Sequence, residues 1–183
     1  GAVTYHQSRE AYMLLAVGET GDSAFSLTEL SIEIAEISEG QKQEPLVIGS
    51  EILAGVRGKP SREREFLLPS FPFDATVSEY QINTQLAQKR GTVPLEARVV
   101  DGFYVMPVEP TGHEERNLSA CIITLKERAS GKQHELLLYE GVSHDITATI
   151  DDKIYGFRLH GEIWNTPFRV QLDDSRGEKH PGT

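Results

Sequence analysis

Histidine is followed directly by glutamate twice, as at the start of the metal-binding helix of zinc metalloproteases. The pairs are His113-Glu114 and His134-Glu135. That motif needs a second histidine four positions after the first, so that two imidazoles share one face of a helix. Asn117 and Leu138 stand at those positions instead. Neither pair predicts a zinc site.

Two other stretches contain residue types found in catalytic loops. Residues 21–24, Gly-Asp-Ser-Ala, are similar to a serine-nucleophile turn, but a triad also needs a histidine and an acid placed in space, so we interpret them as a solvated turn. Residues 55–60 contain glycine and lysine without the spacing or the hydroxyl residue of a phosphate-binding loop. We therefore predict no catalytic residue.

The carboxylate pairs and the single cysteine also favour structural roles. Asp151-Asp152 and Asp173-Asp174 are adjacent residues, which point to opposite faces of a strand. Calcium needs six or more oxygen ligands, which no local loop supplies. Cys121 lies between Ala120 and Ile122, as expected of a small buried side chain. We predict turn chemistry for the aspartates and no metal site.

Composition restricts the classes of function. The chain has 183 residues, with 18 basic and 28 acidic side chains and a net charge of −10. This balance disfavours nucleic acid, whose phosphates are bound mainly through lysine and arginine. The longest apolar run, residues 11–17, is far shorter than the ~20 residues of a membrane-spanning helix. Composition and length predict a folded domain with a core of its own.

The apolar pattern is that of strands. Polar and apolar residues alternate over residues 29–34 and 73–82, and the alternation changes parity near Glu79, which predicts a β-bulge. Asp151-Asp152 predicts a tight hairpin turn. The best helix candidate is residues 45–56. Further strands are predicted at residues 95–100, 118–125, 135–139, 145–150, 154–159 and 168–172.

This pattern predicts an all-β fold, an antiparallel sandwich or barrel with at most one or two short helices. A weak internal echo suggests two similar β units. Each has a Pro-Phe step, Pro72-Phe73 and Pro167-Phe168, whose phenylalanine we expect to occupy the first inward position of a strand. The halves would be residues 1–130, with an insertion at residues 25–68, and residues 131–183.

Several stretches resemble the ResB-type cytochrome c biogenesis proteins. Residues 166–174 (TPFRVQLDD) and 178–183 (EKHPGT) resemble the family's Pro-Phe strand, Leu-Asp-Asp turn and Pro-Gly-Thr loop. Residues 9–15 (REAYMLL) with 18–20 (GET), and residues 117–122 (NLSACI), resemble two further family segments. Two positions depart from the pattern: Ser175 replaces an aromatic residue, and residues 87–92 (AQKRGT) lack the Pro-Gly of the loop.

The resemblance implies an extracytoplasmic domain on the outer face of the bacterial cytoplasmic membrane, in the periplasm. It implies a part in haem delivery and attachment to c-type apocytochromes, beside a ResC-like membrane subunit. We expect the 183 residues to be a soluble piece of a longer, membrane-anchored protein that continues beyond Thr183. We expect a protein-interaction module and not an enzyme, with membrane contact only through segments outside this chain.

The resemblance also implies that a histidine of this chain could contact haem. Haem iron accepts axial imidazoles, and His144, His160 and His180 lie in the region most similar to the family. His180, before Pro181-Gly182 in an expected exposed loop, is the candidate for haem contact in the full-length complex, although we expect no resident cofactor in this domain. The alternative from another class is a small-molecule-binding β-barrel or a metal-dependent hydrolase. A pocket where histidines and carboxylates converge would favour that alternative.

Overall fold

The fold is built almost entirely from antiparallel β-strands. A computed structural model describes residues 12–13, 15–113 and 116–173. Its one α-helix in that part of the chain, α1, covers only Ser50–Leu53. The strands are β1 (Thr20–Ser38), β2 (Gln41–Lys42), β3 (Leu46–Ile48), β4 (Arg64–Phe66), β5 (Phe73–Gln81), β6 (Thr84–Gln88), β7 (Phe103–Pro107), β8 (Ala120–Glu127), β9 (Gln133–Tyr139), β10 (Ile146–Ile150) and β11 (Lys153–Gln171).

The strands form three sheets. In the first, the order is β10-β11-β1-β2, and β3 also pairs with β1. The second has the order β4-β5-β8-β9, and the third is a ribbon of β6 and β7. None of these described sheets closes into a barrel. The all-β, sandwich-like prediction is therefore confirmed.

The chain divides into two compact units, one formed by Gly1–Glu29 with Gly161–Thr183 and the other by Leu30–His160. These limits differ from the predicted halves, and the two-copy arrangement stays a prediction. Within the first unit, the backbone comes so close at Gly161 that an added Cβ would lie 1.9 Å from the Ser26 carbonyl oxygen. Only glycine fits there without a shift of the backbone.

The core of the second unit lies between the first two sheets. Alternate residues of β1 and β5 point into it, so that Ile32, Ile34, Phe73 and Val77 are all fully buried. Phe73 packs edge-on against Tyr155, with ring centroids 5.0 Å apart. The alternation that predicted these strands therefore describes their buried faces.

The bulge predicted near Glu79 is confirmed. The register between β5 and β8 shifts between Ser78 and Gln81, and Glu79 has a φ of 51°. The extra residue returns Tyr80 to the core, where it is completely buried. The change of parity in the sequence therefore marks a local kink, with one buried face on either side of it.

The hairpin predicted at Asp151-Asp152 is also confirmed. Ile150 pairs with Lys153 across the turn, and both aspartates have positive φ, 50° and 61°. Two such residues define a type I′ turn, which matches the twist of the strands it joins.

Several predicted elements were wrong. Residues 45–56 form β3 and the short α1, because residues 46–48 pair with β1. Residues 95–100 form no strand, and Leu95 is fully exposed. The two strands predicted at residues 154–159 and 168–172 are one long strand, β11. Asp22 and Ser23 lie in β1 and not in a turn. The local apolar pattern does not show which segments pair as strands, and this caused these errors.

The two Pro-Phe steps have different environments. Phe73 begins β5 and is completely buried, as expected. Phe168 lies near the end of β11 and is 60% exposed, so the predicted inward position is wrong for it. The two Pro-Phe steps are similar in sequence, but their phenylalanines differ in burial.

In the described ranges no helix combines the length and the apolar character needed to cross a lipid bilayer.

Candidate functional site

The ribbon of β6 and β7 packs on the face of the second sheet that points away from the main core. A small apolar cluster joins them, formed by Ile122 of β8 and Leu137 of β9 with Leu86, Val100 and Val105. Ile122 and Leu137 are cross-strand neighbours and therefore share a face of the sheet. Leu137 lines both clefts described below, so both of them adjoin this cluster.

The polar cleft has a volume of about 270 Å³. Ile122, Leu137 and Val105 contribute apolar lining, which we call the floor, and Glu79 and Glu96 are its acidic lining residues. Its remaining lining residues are Gln81, Pro94, Ala97, Arg98, Met106, Pro107 and Cys121. An apolar floor below charged groups is the usual composition of a binding site.

The bulge in β5 explains why Glu79 lines the polar cleft. Val77 points into the core, so regular alternation would also send Glu79 inward and Tyr80 outward. The extra residue reverses this, and Tyr80 becomes the buried side chain while Glu79 faces the cleft. One local irregularity thus supplies both a core aromatic and a cleft carboxylate.

Arg98 bridges two carboxylates at the cleft. Its Nη1 donates to Glu79 Oε1 at 2.7 Å, and its Nη2 donates to Glu135 Oε1. Hydrogen bonds to Glu79 and Glu135 raise the pKa of Arg98 further above its usual range. The three side chains remain about 40% exposed, at 38%, 42% and 40% for Arg98, Glu79 and Glu135. The guanidinium is therefore held in a precise position but stays open to solvent.

Arg98 belongs to the connection between the ribbon's two strands. We call residues 89–102 the strap. The strap is fastened at its base by a hydrogen bond from Lys89 N–H to the Gly102 carbonyl and by reciprocal backbone bonds between Val100 and Phe103. Its middle part forms one wall of the polar cleft and carries Leu95, which is fully exposed. The contacts of Arg98 join this wall to the sheet.

The second cleft, the apolar cleft, also adjoins the ribbon and has a volume of about 290 Å³. Leu86, Phe103, Tyr139 and Ile146 line it together with His144. Burial raises the pKa of the Tyr139 hydroxyl, and the nearby Glu140 adds to this. Phe103 is 40% exposed. This cleft suits a small apolar group, with His144 as a polar contact.

The histidines considered as ligands in the sequence analysis do not come together in one site among the described residues. His180, the candidate for haem contact, lies outside the described residues. His144 lines the apolar cleft, and His160 Nε2 lies 3.2 Å from Glu33 Oε2 in an ionic cluster on the first sheet. His134 is on strand β9, where its Nε2 lies 2.6 Å from Glu127 Oε1. His134 therefore has a structural partner and no helical metal-binding geometry.

Cys121 is buried, as its apolar neighbours predicted. Burial raises the pKa of its thiol to about 12, so the reactive thiolate is not formed near neutral pH. In the portion of the chain that the structure describes, no group of three or more histidine, cysteine, aspartate or glutamate residues could hold a metal ion.

Sequence reasoning missed the bridge between Glu79, Arg98 and Glu135. The parity change near Glu79 was the one available signal, and it indicated a bulge without indicating which way the glutamate would point. The approach of Arg98 depends on the path of the strap, where a strand was predicted instead. Contacts between residues 19 and 37 positions apart leave no local pattern in the sequence.

No protein-family model matches this chain. A search of curated proteins found no significant match either.

Proposed function

We propose that this chain is an extracytoplasmic interaction domain of a ResB-like protein, which assists haem delivery and attachment to c-type apocytochromes. It would dock the apocytochrome beside a ResC-like membrane subunit without being a complete catalyst. The sequence resemblance at residues 166–174 and 178–183 supports the family, and the all-β fold is compatible with it. The location on the outer face of the bacterial cytoplasmic membrane belongs to the same proposal.

The polar cleft is the observation that carries the docking role. Its floor of Ile122, Leu137 and Val105 would bury apolar side chains, while Glu79 and Glu96 would attract lysine or arginine. A polypeptide segment that combines basic and apolar residues fits both features. The net charge of −10 favours the same partner, because charge complementarity accelerates association and selects against acidic partners.

A binding titration tests this proposal. A labelled basic peptide from an apocytochrome haem-attachment segment, containing Cys-x-x-Cys-His, is titrated with the protein and followed by fluorescence anisotropy. We expect saturable binding that weakens as salt rises from low to physiological ionic strength, because salt screens exposed charges. The control is the same peptide with glutamine in place of lysine and arginine, which should bind much more weakly. Absence of binding at low salt would overturn the proposal.

Haem contact through His180 is a separate part of the proposal. Reduced haem is titrated into the protein and its absorption spectrum recorded. A ligated spectrum that is lost in His180→Ala and kept in His144→Ala would support His180 as an axial ligand. The same spectrum in His180→Ala would assign the haem elsewhere.

The apolar cleft favours a second candidate function, the binding of a small apolar molecule. Its lining is mainly apolar, with Asp101, Tyr139 and His144 as polar groups that could orient a ligand. A screen of small aromatic compounds by ligand-observed NMR tests this function. Hits that are lost in Leu86→Glu, which places a charge in the lining, would support it, whereas hits that persist would locate binding elsewhere.

A further inference from the structure

Two carboxylates, Glu79 in the lining of the polar cleft and Glu135 on the far side of Arg98, hold one planar cation. Glu79 is on β5 and Glu135 is on β9, with β8 between these strands. Neighbouring strands lie about 4.8 Å apart, so the two backbones are separated by roughly 10 Å. One guanidinium bridges this gap by using a different nitrogen for each carboxylate.

The two halves of this arrangement differ in how they are supported. Both glutamates stand on strands of one hydrogen-bonded sheet, Glu135 in the regular β8-β9 ladder and Glu79 at the bulge of β5. Arg98 comes from the strap, which is fastened at its base by Lys89, Gly102, Val100 and Phe103. The carboxylate pair is therefore carried by the sheet, and the cation is supplied by a loop.

The bond between the two halves is weak. All three side chains are about 40% exposed, and exposed ion pairs contribute little net free energy because water and salt compete for the charges. An equivalent cation from another molecule could replace Arg98 at little cost. When released from the glutamates, Arg98 would be solvated by water, and the protein would lose little free energy.

We propose that Glu79 and Glu135 form a guanidinium-binding site that Arg98 occupies in the free protein, and that an arginine of a basic partner polypeptide takes its place. This inference rests on the proposed docking function and names the group that is recognised. Arg98 then acts as an internal competitor, and the strap moves with it when the partner binds.

Arginine fits this site better than lysine. A lysine ammonium is a compact charge at the end of a flexible stem, whereas the planar guanidinium presents several N–H groups at fixed angles and spans two acceptors. Apolar side chains beside that arginine would contact the floor at Ile122 and Leu137. They would also cover Leu95, which no part of the described chain buries.

The test uses the full 183-residue protein and three versions of a labelled peptide, in which one central arginine is kept, changed to lysine or changed to citrulline. Citrulline has nearly the shape of arginine without its charge. We expect the arginine peptide to bind most tightly, lysine less and citrulline least. In Arg98→Gln, which removes the competitor, the arginine peptide should bind roughly two- to fivefold more tightly, the range set by the strength of exposed ion pairs.

Matched variants separate the site from net charge. Arg90→Gln changes the charge by the same amount on the same strap. The Arg90 side chain hydrogen-bonds Gln88 and neither glutamate of the site, so this change should leave affinity unchanged or nearly so. Glu79→Gln/Glu135→Gln should weaken arginine binding by a similar two- to fivefold and remove the preference over citrulline. Glu44→Gln/Glu65→Gln removes two exposed carboxylates elsewhere and should keep the preference.

The outcomes distinguish this inference from the docking proposal. If the peptides bind but Arg98→Gln does not tighten binding, or if the arginine and citrulline peptides bind equally, the guanidinium site is contradicted. The docking proposal then still stands, with the peptide bound at another site. If no peptide binds any variant, the docking function itself is contradicted. Arginine preference that is strengthened by Arg98→Gln and abolished by the glutamate pair would support both.

Discussion

Phe73 is the residue on which the core of the second unit depends most clearly. It is completely buried and contacts three aromatic rings, those of Phe71, Tyr155 and Phe157, at centroid distances of 5.4, 5.0 and 5.9 Å. Such ring pairs add to the free energy of burial. Phe73 therefore contributes both apolar area and specific ring packing.

We expect Phe73→Ala to lower the free energy of unfolding by about 3–5 kcal/mol, the usual result of deleting a buried phenylalanine side chain. Phe168→Ala is the matched control, since the same change at a side chain that is 60% exposed leaves no cavity. Denaturant unfolding measures both variants. Equal losses at the two positions would contradict the assigned burial.

A cluster of charged side chains on the first sheet gives a pH dependence. Lys42 pairs with Glu33 and, at 3.1 Å, with Asp145, and Arg158 lies 2.8 Å from Asp145. Burial by itself raises the pKa of Glu33 and of Asp145. The basic partners outweigh burial and leave the pKa of each carboxyl below its ordinary value, 4.5 for Glu33 and 3.8 for Asp145.

The sign of the effect follows from linkage. A carboxyl whose pKa is lower in the folded state stabilises the fold above its ordinary pKa, and this contribution is lost as the pH falls through the lowered value. We therefore expect Lys42→Met to cost about 1 kcal/mol at pH 7 and progressively less below about pH 4. Lys89→Met, outside the cluster, is the control for loss of one positive charge. A Lys42→Met deficit that stays constant down to pH 2.5 would contradict the cluster's role.

At the scale of elements, the β10–β11 hairpin turns on two residues in a strained conformation. Asp151 and Asp152 have φ values of 50° and 61°, in the left-handed region that favours glycine. The sequence predicted this turn from its two aspartates, although Asp152 stands where such turns prefer glycine.

Asp152→Gly should relieve this strain and raise the free energy of unfolding by about 0.5–1 kcal/mol. Asp152→Ala should lower it, because alanine tolerates a positive φ less well than aspartate does. Thermal unfolding of both variants measures the difference. Destabilisation by glycine would show that the carboxylate of Asp152 contributes more than its backbone strain costs.

Strands with one buried face could be predicted because their polar and apolar residues alternate, which identifies the buried face. This holds for residues 29–34, for the bulge near Glu79 and for the hairpin at residues 151–152. The helix predicted at residues 45–56 was wrong because a short apolar run fits a strand or a helix equally, and pairing with β1 decided for the strand. The polar cleft could not be predicted, since Arg98 meets its partners only through the path of the strap.

At the scale of the whole molecule, the net charge of −10 has the same sign as the acidic residues of the polar cleft. In the polar cleft, the carboxylates of Glu79 and Glu96 and the apolar floor lie together, so the general acidity of the protein could steer a basic partner to a site that can also bury apolar side chains. Steering of this kind acts mainly on the association rate. High salt should therefore slow association more than it changes dissociation.

The position of the bound peptide tests the docking account most directly. Backbone amide NMR spectra of the labelled protein are recorded with increasing amounts of the basic apocytochrome peptide. We expect the largest shifts at the polar cleft and at the neighbouring Glu135, in residues 79–81, 94–98, 105–107 and 135–137, with little change at the ionic cluster of Glu33, Lys42 and Asp145. Shifts concentrated at that cluster, or no shifts at saturating peptide, would contradict the account.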